Sequence, residues 1–125
     1  MREWIKQAVA REIYILGDGM EYQNILDFVK KYNIEKRTQE GLSENIENYK
    51  KAYPKKYSEY FGSVEIGKLY RQIDNVSLSL GNWPECSYNH IVSRINIRYQ
   101  GDYVGYYKMV FNFDGTIEDD IFYLE

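Results

Sequence analysis

The stretch HIVSRINIRYQGDYVGYYKMVFNFDGTIEDDIFYL, residues 90–124, decides the fold. From His90 to Gln100, β-branched and aromatic residues alternate with polar ones, which is the pattern of a half-buried strand, and Tyr103 to Phe113 is rich in the same residue types. Gly101-Asp102 separates these two runs, and Asp114-Gly115 follows the second. Both pairs are typical of two-residue hairpin loops, so the stretch predicts antiparallel strands joined by tight turns.

Working outward, Thr116 to Leu124 follows the second turn and closes a three-stranded meander. Val76 to Leu80 shows the same alternation before the stretch and predicts a fourth strand. The predicted meander therefore occupies about residues 70–125, and the residues before it follow a different period.

In the first half of the chain, apolar residues recur every three or four positions, as they do in amphipathic helices. This spacing predicts helices over Glu3–Leu16 and Ile25–Tyr32, and a third that begins at the N-cap residue Ser43. Between the last two, Glu35–Gly41 is a polar, charge-rich stretch that predicts a connector. Lys55–Gly67 is either a fourth short helix or an irregular segment.

Helices followed by antiparallel strands predict an α+β domain, with about three to four helices packed on a meander of three to four strands. The helical part covers about residues 1–68. No repeat, low-complexity tract or linker divides the sequence, so we expect a single domain over residues 1–125.

Charge and cysteine content narrow the classes of function. Sixteen Lys and Arg against 19 Asp and Glu give a net charge of −3, which argues against a nucleic-acid-binding protein and favours a basic partner. The one cysteine, Cys86, cannot form an internal disulfide. No apolar run approaches the roughly 18 residues of a membrane helix, so we expect a cytoplasmic protein that does not enter the membrane.

The two predicted hairpins also sort side chains onto two faces of the sheet. With two-residue loops, Gln100 lies opposite Tyr103 and Phe113 opposite Thr116. The face expected to pack on the helices then holds Ile91, Ile95, Ile97, Tyr99, Val104, Tyr106, Val110, Ile117, Ile121 and Tyr123. The other face holds Val92, Arg94, Asn96, Arg98, Tyr103, Tyr107, Met109, Phe111, Phe113, Glu118, Asp120, Phe122 and Leu124.

This second face mixes aromatics, Met and charges, which are the types enriched in protein interfaces. The alternative is an ordinary charged surface, or a face partly covered by a helix. A one-residue bulge at either turn would exchange the faces beyond it, so the assignment depends on the register.

Catalytic motifs are absent from the sequence. Cys86 and His90 could provide two metal ligands or a thiol with its base, but two ligands do not make a zinc site. Glu118 and Asp120 could converge on one site, since alternate strand residues share a face. No phosphate-loop, dinucleotide-binding or nucleophile-elbow pattern occurs. We therefore expect no enzyme, no cofactor and no metal.

The segment YKMVFNFDGTIEDD, Tyr107–Asp120, lies in an acidic chain with 14 tyrosines, predicted N-terminal helices and a C-terminal meander. With this hairpin ending, the chain resembles the bacterial immunity proteins that accompany polymorphic toxins, including those of contact-dependent growth inhibition systems. The resemblance implies an antitoxin that binds a cognate toxin domain, often a nuclease, and neutralises it by stoichiometric occlusion. It transfers no residue role.

On this hypothesis acidic and aromatic side chains engage a basic toxin domain. The expected partner-binding residues are Glu118 and Asp120 with Tyr103 and Tyr107 as anchors, Arg94 and Arg98 on the same face, and then Glu44 and Glu47 on the third predicted helix. The competing hypothesis is a small-molecule-binding protein or enzyme, with a pocket between helices and sheet where Arg94 or Arg98 meets tyrosine hydroxyls and a carboxylate. A homodimer through the aromatic face is a third alternative.

Overall fold

The computed structural model describes residues 19–63 and 72–125, and shows three helices followed by a four-stranded antiparallel sheet in the order β1-β2-β3-β4. The predicted α+β arrangement is confirmed. The helix predicted over Glu3–Leu16 lies outside the described residues. The elements are α1 (Gly19–Lys31), α2 (Ile34–Ala52), α3 (Pro54–Phe61), β1 (Asn75–Gly81), β2 (Tyr88–Tyr99), β3 (Asp102–Phe111) and β4 (Ile117–Leu124).

The chain forms two compact units, Met1–Ile34 and Glu35–Glu125. In the first unit, α1 covers most of the helix predicted over Ile25–Tyr32, with Lys30 and Lys31 in its last turn, where cations complement the helix dipole. Asn33, at a φ of 56°, follows the helix in the left-handed conformation that commonly terminates helices. The single-domain assignment stays a prediction.

Helix α2 is longer than predicted. Ser43 lies in the middle of the helix and is not an N-cap, and the expected connector Glu35–Gly41 is helical. Thr38, Leu42 and Ile46 are each fully buried and four residues apart, so they form one stripe on the helix. Ile34, four residues before Thr38, is also fully buried, so polar Thr38 interrupts an apolar spacing in the sequence. The Thr38 hydroxyl shares a 2.6 Å hydrogen bond with Ser93 Oγ of β2.

Contacts from α2 and α3 define the covered side of the sheet, which we call the helix side. Arg37 lies over the Phe111 ring at 5.0 Å, and Tyr49 contacts Phe122 with ring centroids 5.9 Å apart. From α3, Phe61 contacts Tyr99 at 6.1 Å. The fully buried residues of the helix side are Ser93, Ile95, Ile97, Tyr107 and Phe111.

The first hairpin differs from its predicted register. Its loop is Gln100-Gly101 rather than Gly101-Asp102, because both residues have positive φ, 54° and 86°, as a type I′ turn requires. Tyr99 therefore pairs with Asp102. Beyond the turn, the pairing skips Val104, which is the extra residue of a bulge.

Because of this shift, the face assignment of β3 relative to β2 was wrong. Ile95 pairs with Tyr107, and Asn96 pairs with Tyr106. Several residues that were expected on the interface face instead lie on the helix side. They are Tyr107, Met109, Phe111, Asp120, Phe122 and Leu124. We call the opposite face of the sheet the outer face. It holds Tyr106, Val110, Ile121 and Tyr123, which were expected to pack on the helices.

The second hairpin keeps its predicted register along most of its length, so that Met109 pairs with Asp120. Its loop is longer than the predicted Asp114-Gly115: Asn112 N donates to Thr116 O at 2.8 Å, and Gly115 N donates to Asn112 O at 2.9 Å. The pairing shifts after Val110, which leaves Glu118 as the extra residue of β4. Because Glu118 is an extra residue, the pairing beyond it agrees with the predicted register although the loop is longer than predicted.

Candidate functional site

The residues predicted to bind a partner fall on two different parts of the molecule. Arg94, Arg98 and Tyr103 lie on the outer face, and Glu118 lies at the bulge in the edge strand β4. The other predicted residues, on α2 or on the helix side, are Glu44, Glu47, Tyr107 and Asp120. The sequence prediction thus joined two separate surfaces.

The first surface, which we call the acidic edge, consists of the exposed residues Glu44, Glu118 and Asp120 along α2 and β4. Asp120 Oδ2 accepts hydrogen bonds from Tyr107 OH at 2.7 Å and from Asn45 Nδ2 at 3.1 Å. Asn45 also donates to the Gly41 carbonyl at 2.8 Å and is thereby fixed to its own helix. Two donors hold the Asp120 carboxylate, so it is oriented before any partner binds.

Tyr107 supports the acidic edge from the interior of the fold and is not an exposed anchor residue for a partner. The side chain is fully buried, and a Cβ on Gly41 of α2 would collide with its hydroxyl. Burial, the hydrogen bond to Asp120 and the charges of Asp120 and Glu44 all raise the pKa of Tyr107, in that order. Tyr107 therefore orients Asp120 from below, and its ring is not available to a partner.

Glu44 and Glu47 share α2 but have different neighbours. Glu44 precedes Asn45, the donor to Asp120, and its charge reaches Tyr107. Glu47 lies near α3, since its charge, after the larger effect of burial, raises the pKa of Tyr57. Glu44 therefore belongs to the acidic edge, whereas Glu47 does not.

The outer face carries a cluster of cations and aromatic rings. The Arg94 guanidinium lies 4.4 Å from the Tyr106 ring centroid, donates to Asn96 Oδ1 at 2.8 Å and lies 3.4 Å from the Tyr103 hydroxyl. Lys108 Nζ lies 5.2 Å from the same Tyr106 ring. Tyr106 in turn contacts Tyr123 of β4, with centroids 5.3 Å apart.

Three members of this cluster, Tyr106, Lys108 and Tyr123, were not among the predicted partner-binding residues. Tyr106 and Tyr123 were expected to pack on the helices because the predicted register lacked the one-residue bulge at Val104. The pair Gln100-Gly101 can also form the hairpin turn, but moving the loop by one residue shifts the pairing by two residues and leaves the faces unchanged. The bulge at Val104 therefore fixes which side of β3 shares a face with Arg94, and no local pattern in the sequence marks it.

The residues of the competing pocket hypothesis do not lie between helices and sheet. Arg94, Arg98 and Tyr103 are on the outer face, whereas α2 and α3 cover the helix side. Arg94 and Tyr103 do approach each other, but on the surface that these two helices leave open.

Cys86 and His90 do not form a metal site with other side chains. Cys86 is half-buried in the loop after β1, and His90 is buried against the Tyr88 ring, with centroids 4.0 Å apart. Across residues 19–63 and 72–125, no group of three or more His, Cys, Asp or Glu side chains is arranged to hold a metal ion.

None of the helices in the described part of the chain has the length and apolar character needed to cross a membrane. Comparison with models of protein families, with curated proteins and with solved structures found no match. The acidic edge and the outer face are therefore the features from which function is inferred.

Proposed function

We propose that this protein is an immunity protein that binds a basic toxin domain in the cytoplasm and neutralises it by covering its active site. The observation that carries the proposal is the acidic edge, above all the Asp120 carboxylate held by Tyr107 and Asn45. A carboxylate fixed in advance loses little conformational freedom on binding, so more of its attraction to a cation is available as affinity.

The chemistry of the acidic edge fits such a partner. Enzymes that act on nucleic acids attract phosphates with Lys and Arg, and exposed carboxylates can occupy the same positive surface. Glu118 and Asp120 lie on β4, an edge strand of the sheet, where a partner can approach them without displacing another strand. Complementary charge of this kind accelerates association and selects against acidic partners.

The proposal is tested with the domain encoded by the gene immediately upstream, the usual position of a toxin that an immunity protein neutralises. We expect the two chains to co-purify in a one-to-one complex. Replacing Glu44 and Glu118 together with Lys should weaken the complex roughly ten- to hundredfold, because two attractions become repulsions. Isothermal titration calorimetry measures the change in Kd.

The matched control is Glu85→Lys, which reverses an exposed carboxylate in the β1–β2 loop, away from the acidic edge. Circular dichroism of each variant establishes that the fold is kept. The absence of a complex with the wild-type chain would overturn the proposal, and an equal loss of affinity in Glu85→Lys would remove the acidic edge from it.

A further inference from the structure

The outer face contains two cations placed directly opposite each other. Arg94 of β2 pairs with Lys108 of β3 in the sheet register, so their Cα atoms are about 5 Å apart. Like charges in directly opposed positions destabilise a sheet. Both cations lie over the same Tyr106 ring, at 4.4 and 5.2 Å from its centroid, and this ring partly offsets their repulsion.

In the part of the chain that the structure describes, Arg94, Arg98 and Lys108 have no ion pair with an acidic side chain. The one carboxylate at a strand position of this face is Asp119, opposite Val110, and its Oδ1 accepts a hydrogen bond from the Asp120 backbone N at 2.8 Å. Among the described strand positions, the outer face thus carries three cations against one acid, although the whole chain is acidic. A second carboxylate, Asp74, precedes β1 and accepts a hydrogen bond from the backbone N of Asn96 at 2.6 Å.

We propose that the outer face binds an acidic segment of a partner protein, with a carboxylate between Arg94 and Lys108. A single carboxylate there would meet both cations and relieve their mutual repulsion. Arg98 lies four residues from Arg94, about 13 Å along the strand, and provides a second contact for an extended segment. The side chains of Tyr103 and Tyr123 are 40% and 46% exposed, and their rings provide apolar contacts for the bound segment beside the cations.

The charge distribution of the molecule favours this occupant over two others. A second copy placed face to face would bring six cations against two acids, so the faces would repel each other. A nucleic acid strand is long and uniformly negative, and it would extend over the neighbouring edge strand, where Glu118, Asp119 and Asp120 are consecutive. A short acidic segment contacts the cations and ends before that edge.

The test uses the full chain and a short fluorescein-labelled peptide of alternating Glu and Tyr, followed by fluorescence anisotropy. We expect saturable binding that weakens with salt, and no binding of the matched peptide with Gln in place of Glu. The double variant Arg94→Gln, Lys108→Gln should bind the Glu–Tyr peptide roughly tenfold more weakly or worse.

The control variant Lys51→Gln, Lys55→Gln removes the same charge from exposed positions on α2 and α3 and should keep the wild-type affinity. Equal losses in the two double variants, or no binding by the wild-type chain, would overturn the proposal. Tighter binding of a single-stranded oligonucleotide of equal charge, lost in Arg94→Gln, Lys108→Gln, would also overturn it in favour of nucleic acid. These outcomes do not depend on the upstream toxin domain, so either proposal can fail alone.

Discussion

Tyr107 and Tyr106 are neighbours in β3 with opposite roles. The Tyr107 hydroxyl is buried and donates to the Asp120 carboxylate at 2.7 Å, whereas Tyr106 presents its ring to Arg94 and Lys108 on the outer face. Tyr107→Phe should lower the free energy of unfolding by about 1.5–3 kcal/mol, because it removes a hydrogen bond to a charged group. Tyr106→Phe keeps its ring contacts and should cost far less. Urea unfolding of both variants measures the difference, and equal losses would contradict this role for Tyr107.

Tyr107→Phe should also change how the free energy of unfolding depends on pH above about pH 10. Burial, chiefly, raises the pKa of Tyr107 above its ordinary value near 10, so the folded chain keeps this proton where the unfolded chain loses it. Stability from Tyr107 is therefore full below about pH 10 and falls above it, by up to about 1.4 kcal/mol per pH unit. Tyr107→Phe should flatten this fall in unfolding experiments above pH 10, and an unchanged fall in this variant would contradict the prediction.

At the scale of elements, the first hairpin determines which residues share the outer face. Gln100 occupies a left-handed position, φ 54°, that favours Asn or Gly. Gln100→Asn should raise the free energy of unfolding by about 0.5–1 kcal/mol, because Asn reaches this conformation at lower cost. Gly101→Ala should lower it by about 1–2 kcal/mol through its backbone alone, since open space surrounds its Cβ position. Thermal unfolding distinguishes these outcomes, and a neutral Gly101→Ala would contradict the type I′ turn.

An element could be predicted from the sequence where its pattern is local, and could not where it depends on contacts with distant residues. Strand alternation is local, so the four strands and the pairing of Met109 with Asp120 were predicted correctly. The start of α2 was not, because Thr38 looks polar until its hydroxyl meets Ser93, 55 residues away. The outer-face cluster was missed because the bulge at Val104, which shifts the pairing by one residue, exchanged Tyr106 and Tyr107 between the two faces.

For the candidate site, residue types were predicted better than their grouping. Acidic, cationic and aromatic residues of the hairpins were predicted to bind a partner, and Asp120 and Arg94 were assigned to one face. The sheet places them on opposite sides, with Asp120 bonded to Asn45 of α2 and Arg94 over Tyr106. Only the bulge at Val104, which no local pattern announces, separates the two groups.

At the scale of the molecule, the net charge of −3 conceals two surfaces of opposite sign. The acidic edge lies along α2 and β4, and the cations of the outer face lie on the other side of β2 and β3. A sheet and its covering layer are about 10 Å apart, comparable to the screening length of about 8 Å at physiological salt. Charge changes on one surface should therefore have little effect on binding at the other.

Because the two surfaces are separate, we expect each double variant to lose affinity for one partner and keep it for the other. Glu44→Lys with Glu118→Lys should weaken the complex with the upstream toxin domain while leaving the Kd for the Glu–Tyr peptide within about twofold, and Arg94→Gln with Lys108→Gln should do the reverse. Titrating each variant with each partner at about 0.15 M salt measures all the constants. If either double variant lost both partners while keeping its fold, the two groups would form one continuous binding surface, and the division of the molecule into an acidic edge and a cationic outer face would be wrong.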